Sequence, residues 1–246
     1  ARSLNLANSV AVVAYEALMR PQLPILRSPL TVMQLASEMG RLYDIEKLTF
    51  FRACECYEEL EAAGKLDADA LIFVNSIASV SLSDEDWASY CEAHSAILPK
   101  LVVEITEEEE MNERELERKR NVPGSSGVFA LDDYGSGYSN GNSLLTIAPK
   151  YVKVDIAIIR GIDTDADKQQ FLMTLIDYAH PRGVQVLAEG VETLSELRKV
   201  LEMGVDLLQG YCLAPPAAEP GAIDEKAAEV IAEVERQKAE REEAGS

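Results

Sequence analysis

Short apolar, β-branched runs that stop at a polar residue recur along this chain. They are Ala11–Glu16, Leu71–Asn75, Leu101–Glu104, Val128–Asp132, Tyr151–Asp155, Val184–Glu189 and Leu207–Gln209. Runs of this kind predict strands buried on both faces, as in a mostly parallel sheet. Helical patterns separate most of them. The clearest are Pro29–Ala63, opened by Ser28 as N-cap with Pro29 at the first helical position, then Asp84–Leu98, Asp165–His180, and Leu194–Met203 opened by Thr193. Gly183 and Gly204 follow two of these, where helices commonly stop. Strand–helix alternation predicts an α/β fold, either a barrel or a doubly wound sheet. An eighth strand is expected at Ser3–Leu6, joined by Ala7-Asn8-Ser9 to the run Val10–Leu18. That connection is a hairpin, so the first two strands are expected to be antiparallel.

The charged stretch Glu107–Arg120 is expected to be a solvated helix, followed by a loop at Asn121–Gly127. The Ala-, Glu- and Lys-rich stretch Ile223–Glu242 predicts a terminal helix with a solvated face. The expected organisation is a barrel over residues 1–222 and an acidic helical tail over 223–246.

The 246 residues suffice for one barrel, and 47% hydrophobic with 27% charged residues fits a globular chain. No apolar run approaches the roughly 20 residues that span a bilayer, and no secretory signal is evident. The chain opens on Ala1 rather than Met, as expected of a piece of a longer protein. Cys54, Cys56, Cys91 and Cys212 lack zinc-type spacing and are expected to be reduced, mostly buried thiols in the cytoplasm. The formal net charge of -20 repels polymeric nucleic acid. It also repels a small phosphate ligand, unless bound cations reverse the charge locally.

The residues that end the strands carry the chemistry: Glu16, Asn75, Glu104, Asp132, Asp133, Lys153, Asp155, Glu189 and Gln209. In a parallel barrel the strands present their C-terminal ends to one face, where catalytic residues collect. One acid at a strand end is ordinarily a helix cap or a solvated edge. A run of strands ending this way is harder to assign to caps, and carboxylates packed together cannot all stay ionised. A divalent cation removes that conflict, and oxygen donors suit magnesium, manganese or calcium rather than zinc. Adjacent Asp132 and Asp133 suit a two-ion site, which cleaves phosphodiesters by activating a water and stabilising the leaving oxygen. Lys153 and Asp155, two apart on a strand, are expected on one side of it. His94 and His180 both lie in helical patterns, away from these ends. No P-loop or dinucleotide-binding fingerprint is present.

The residues also resemble a known family, the EAL domain. The resemblance rests on Glu16-Ala17-Leu18, Phe73-Val74-Asn75, Glu104-Ile105-Thr106-Glu107 and Asp132-Asp133-Tyr134-Gly135-Ser136-Gly137-Tyr138-Ser139. It continues through Lys153-Val154-Asp155, Ala188-Glu189-Gly190-Val191-Glu192-Thr193 and Gln209-Gly210-Tyr211, in the family's order. It implies a (β/α)8 TIM-like barrel with an antiparallel first strand pair. It also implies hydrolysis of cyclic di-GMP to linear pGpG by metal-activated water, with two Mg2+ or Mn2+ ions. The implied metal ligands are Glu16, Asn75, Glu104, Asp132, Asp133 and Glu189. The implied catalytic residues are Glu16, Lys153, Glu189 and Asp155. Arg20 and Gln209 would contact the nucleotide, and Glu107 and Glu192 would support the site. The resemblance further implies a homodimer, an upstream sensory or diguanylate cyclase domain, and a cytoplasmic location. The family's Gln-Pro strand is absent from Ala1–Leu6, and Pro21 follows Arg20 in place of an aromatic residue. Every expected catalytic position is nonetheless filled by the expected residue type; the alternative, a weakly active or inactive cyclic di-GMP receptor, rests mainly on the altered amino terminus.

Overall fold

The computed structural model describes residues 29–67, 69–106, 113–136, 142–217 and 221–245. The strands are β1 (Ile72–Asn75), β2 (Leu101–Thr106), β3 (Val128–Tyr134), β4 (Tyr151–Val154), β5 (Gln185–Ala188) and β6 (Leu207–Leu208). They form one parallel sheet in the order β1-β2-β3-β4-β5-β6. Six of the expected strands are therefore present among the described residues. The run Ala11–Glu16 and the hairpin proposed with Ser3–Leu6 lie outside them. No helix among the described residues is long and apolar enough to cross a membrane.

Contacts divide these residues into two compact units, and β3 passes from one into the other. The first unit holds residues up to 130 together with 142–148. Its β1 and β2 pair in parallel, with Ile72 opposite Leu101 and Asn75 opposite Glu104. Ile72, Phe73 and Val74 are fully buried, as continuous apolar runs require. Helices α1 (Pro29–Glu38), α2 (Leu42–Ala62), α3 (Asp84–Ala93), α4 (Glu113–Arg120) and α5 (Asn142–Ile147) complete it. Phe50 of α2 packs edge-on against Trp87 and Tyr90 of α3, with ring centroids 5.4 and 5.8 Å apart.

The single helix expected over Pro29–Ala63 is broken. Gly40 adopts a left-handed φ of 64°, with Gly40 N–H bonded to the Ser37 carbonyl and Arg41 N–H to the Ala36 carbonyl. This paired arrangement ends a helix, and the chain restarts at Leu42. The helix expected to run to Leu98 stops at Ala93, and a separate 3-10 turn follows at Leu98–Lys100. The described part of the charged stretch is helical but not simply solvated. Leu116 and Lys119 of α4 are buried, and Arg120 donates to the Ile147 carbonyl at 2.6 Å.

The second unit holds residues 131–136 and those from 149 onward. β4, β5 and β6 pair in parallel, with Lys153 opposite Leu187 and Ala188 opposite Leu208. Its helices are α6 (Ile156–Ile159), α7 (Ala166–Ala179), α8 (Leu194–Met203) and α9 (Glu225–Gly245). Gly183 and Gly204 both take left-handed conformations where helical structure ends, as expected. The terminal helix α9 packs against α8 and buries Ala227, Ile231 and Val234. Arg198 of α8 meets Glu233 of α9 at 2.6 Å.

All four cysteines are free, but only Cys54 is buried, and the other three are half-buried. Burial pushes the Cys54 thiol up to about 11, against a smaller opposing effect of its hydrogen bond with Tyr90. A thiol held protonated in this way is a poor nucleophile.

Candidate active site

β3 carries Asp132 and Asp133 in succession. A regular strand sends consecutive side chains to opposite faces. Here Asp133 adopts a φ of 55°, in the left-handed region that non-glycine residues seldom enter. The alternation breaks at that residue, and both carboxylates reach one place. Asp132, Asp133 and Glu189 each offer an oxygen, and these oxygens lie within 4.8 Å of one another. Asp132 is buried, whereas Asp133 and Glu189 are half-buried.

Lys153, at the centre of β4, is fully buried. Its Nζ lies 2.8 Å from Asp132 Oδ1 and 2.8 Å from Glu189 Oε1. Backbone pairing places the second carboxylate, because Glu189 N–H donates to the Val154 carbonyl one residue beyond Lys153. Three carboxylates and one ammonium carry a formal sum of two negative charges among these four groups. Like charges this close raise the cost of full ionisation, and a divalent cation lowers it. The donors are all oxygens, as magnesium, manganese or calcium prefer.

Asp155 follows β4, which ends at Val154, so it does not share a regular strand with Lys153 as expected. Its carboxylate Oδ1 accepts from Ala157 N–H at 2.7 Å and caps α6. Its N–H donates to the Tyr134 carbonyl at the end of β3.

Gln209 follows β6 and joins the loop after Glu189 through its backbone. Its N–H donates to the Ala188 carbonyl, and its own carbonyl accepts from Val191 N–H at 3.0 Å. The next residue, Gly210, lies so near this loop that an added Cβ would stand 2.2 Å from the Val191 carbonyl oxygen.

Glu192 is exposed on the loop between β5 and α8, paired with Arg160. Glu196 does more there than sequence reasoning recognised. Its buried carboxylate accepts from Gly161 N–H at 2.8 Å, Thr193 N–H at 2.9 Å and Glu192 N–H at 3.1 Å. The readable signal was Thr193-x-x-Glu196, a capping box.

Burial pushes the Glu196 carboxyl up, but these N–H donors pull it down further, leaving it below its ordinary value. A folded value below the unfolded one contributes stability above the unfolded value of about 4.3, and loses it as pH falls through the folded value. Glu196→Ala removes the acceptor of three part-buried N–H donors and the capping box of α8, and is expected to cost about 1 kcal/mol at neutral pH. Urea titrations at neutral and acid pH check this, with the gap between wild type and variant narrowing in acid. A gap independent of pH contradicts it.

In the first unit, Asn75 at the end of β1 stands opposite Glu104, which lies within β2 because that strand runs on to Thr106 rather than stopping at Glu104 as expected. Glu104 is buried, and its carbonyl accepts from Ser76 N–H at 3.0 Å. Glu16, Arg20 and Glu107 lie outside the described residues. Both histidines have structural partners. His94 Nδ1 lies 3.0 Å from Glu58, and His180 Nε2 lies 3.0 Å from Asp206.

The family model described as the EAL domain matches residues 6–216. A probable cyclic di-GMP phosphodiesterase of Escherichia coli K12, PdeG, is 26% identical over 77% of this chain and 38% of its own length. The cyclic di-GMP phosphodiesterase PdeL of the same organism is 32% identical over 36% of this chain and 25% of its own. The chain thus spans well under half the length of these curated relatives. Among solved structures, the PaMucR phosphodiesterase in complex with c-di-GMP superposes with a TM-score of 0.70 at 24% identity, covering 85% of this chain and 86% of that one. Klebsiella pneumoniae BlrP1, in a manganese and cy-diGMP complex, superposes with a TM-score of 0.69 at 24% identity, covering 83% and 52%. At these identities the likeness establishes the fold, and the family match establishes kinship: the chain belongs to the EAL domain family.

Proposed function

We propose that this domain is a phosphodiesterase that hydrolyses cyclic di-GMP to linear pGpG with Mg2+ or Mn2+. One observation carries the reading: Asp132, Asp133 and Glu189 converge within 4.8 Å around the buried ammonium of Lys153. A structural ion pair needs one carboxylate per ammonium, and the surplus acid here suits a cation. The family match and the curated phosphodiesterase relatives support the same reading.

In this reading Glu16, Asn75, Glu104, Asp132, Asp133 and Glu189 hold a pair of divalent ions. Such ions supply Lewis acidity, making water nucleophilic near neutral pH and offsetting phosphoryl charge. Lys153 orients the attacking water and offsets charge that gathers on the phosphoryl oxygens, a contribution strongest in a buried site. Water adds its oxygen to phosphorus, the bond from phosphorus to the ribose 3′ oxygen breaks, and that oxygen leaves with a proton. Asp155 fixes the backbone after Lys153 while standing beside the reacting groups. Arg20 and Gln209 contact the nucleotide, and Glu107 and Glu192 support the loops. A (β/α)8 barrel completed by an antiparallel first strand pair, pairing of two copies, and an upstream sensory or cyclase domain belong to the same reading.

The deciding test incubates cyclic di-GMP with the protein and Mn2+ or Mg2+, beside Asp132→Asn. Linear pGpG from the wild type alone is the expected result. Saturable nucleotide binding without product would make the domain a receptor instead.

A further inference from the structure

Where the chain leaves β1, at Ser76 and Ile77, lies a buried charge network that the functional reading does not use. Lys119 of α4 is fully buried, and its Nζ donates to Glu46 Oε1 at 2.8 Å, Ser76 Oγ at 2.6 Å and the Ile77 carbonyl at 2.5 Å. Glu46 of α2 is also buried and accepts from Ser76 Oγ at 2.7 Å and Ile77 N–H at 2.8 Å. Two helices thus reach across to the same two residues, and those residues follow Asn75 directly. Ser76 N–H in turn donates to the Glu104 carbonyl at 3.0 Å.

Burying a full charge pair is costly, and an apolar pair of similar volume often serves stability as well or better. What the pair supplies here is position. Besides pairing with each other, Lys119 and Glu46 direct Nζ and both carboxylate oxygens to the side chain or backbone of Ser76-Ile77, where β1 stops. An apolar contact would fill the space without fixing the direction of the backbone. Loops bearing ligands need such support, because small misplacements of a donor weaken a metal site.

We propose that Lys119, Glu46 and Ser76 are positioning residues, which clamp the backbone after β1 so that Asn75 and Glu104 present their oxygens to the divalent cation. The clamp rests on the reading of Asn75 and Glu104 as ligands, and its test separates the two ideas. Lys119→Met, Ser76→Ala and Asn75→Ala are compared with wild type by Mn2+ titration, read as the rise in melting temperature and, separately, as hydrolysis of cyclic di-GMP. Half-saturating Mn2+ is expected to rise about tenfold in Asn75→Ala and by a similar factor in Lys119→Met, in line with the loss typical when support behind a metal ligand is removed. A smaller rise is expected for Ser76→Ala. At saturating Mn2+ the kcat of Lys119→Met and Ser76→Ala returns towards wild type, as a positioning role requires. A network that only stabilises the fold would lower the melting temperature without moving the Mn2+ midpoint.

Should Asn75→Ala shift the midpoint while Lys119→Met and Ser76→Ala do not, the clamp is refuted and the ligand reading stands. If Asn75→Ala leaves it unmoved, or wild type takes up no Mn2+, the ligand reading falls and the clamp falls with it. Should Lys119→Met fail to fold, Ser76→Ala decides, since it keeps the ion pair and removes only one hydroxyl.

Discussion

Lys153→Met is expected to lower kcat for cyclic di-GMP by about 10²- to 10³-fold at saturating metal, the loss typical when one aligned electrostatic group is removed from a reaction centre. The substitution keeps much of the side-chain volume and deletes the ammonium 2.8 Å from both Asp132 and Glu189. Metal binding is expected to survive, because the three converging carboxylates remain. Stability of the metal-free protein is expected to drop by about 3–5 kcal/mol, since breaking a buried pair leaves charge without its partner. Added Mn2+ is then expected to recover much of that loss by supplying positive charge to the same oxygens. Two measurements therefore bear on one residue: turnover at saturating metal, and the melting temperature with and without Mn2+. A variant within about threefold of wild-type turnover would leave Lys153 a purely structural cation and undo its assigned role.

The second large effect is expected from Gly210→Ala. An added Cβ would lie 2.2 Å from the Val191 carbonyl oxygen and 2.3 Å from its nitrogen, and φ at this residue is 156°. The obstacle is backbone, which cannot swing aside as a flexible side chain can. The same backbone is engaged on both sides. Val191 N–H donates to the Gln209 carbonyl, and Cys212 N–H donates to the Val191 carbonyl. Relief of the clash must separate the loop carrying Glu189 from the loop carrying Gln209. A cost of about 4–5 kcal/mol places the substitution among the most severe single changes. For a chain of this size that corresponds to a fall in melting temperature of about 10–20 °C. Differential scanning calorimetry reads it directly, and a melting temperature unchanged from wild type would mean the two loops are not locked together.

Several features of this protein were readable from residue order alone. β-branched runs located six described strands, because a strand buried on both faces must be apolar throughout. Thr193 and Gly204 bounded α8 as expected, since caps and left-handed stops are local chemistry. The polar residues closing the runs pointed to Asp132, Asp133, Lys153 and Glu189, which converge in the structure. The family resemblance, carried by the same motifs, is matched by the family model over residues 6–216. Helix ends within apolar stretches were harder to read. The break at Gly40 has no clear sequence mark, because a lone glycine in a helical pattern can be tolerated within the helix or can end it.

What the sequence by itself determined is the six strands among the described residues and the acids at or near their C-terminal ends, because burial and strand termination leave marks at short range. Only the tertiary structure decided how those groups are used. Strand alternation would send Asp132 and Asp133 to opposite faces, and the left-handed backbone at Asp133 brings them together. Lys119 stands in a run of charges that reads as solvated, yet Glu46 and the turn after β1 enclose it completely. Its partner lies 73 residues away in the chain. A charged side chain can be buried wherever folding delivers a counter-charge and hydrogen-bond partners, and pairing across such a distance leaves no local pattern to read.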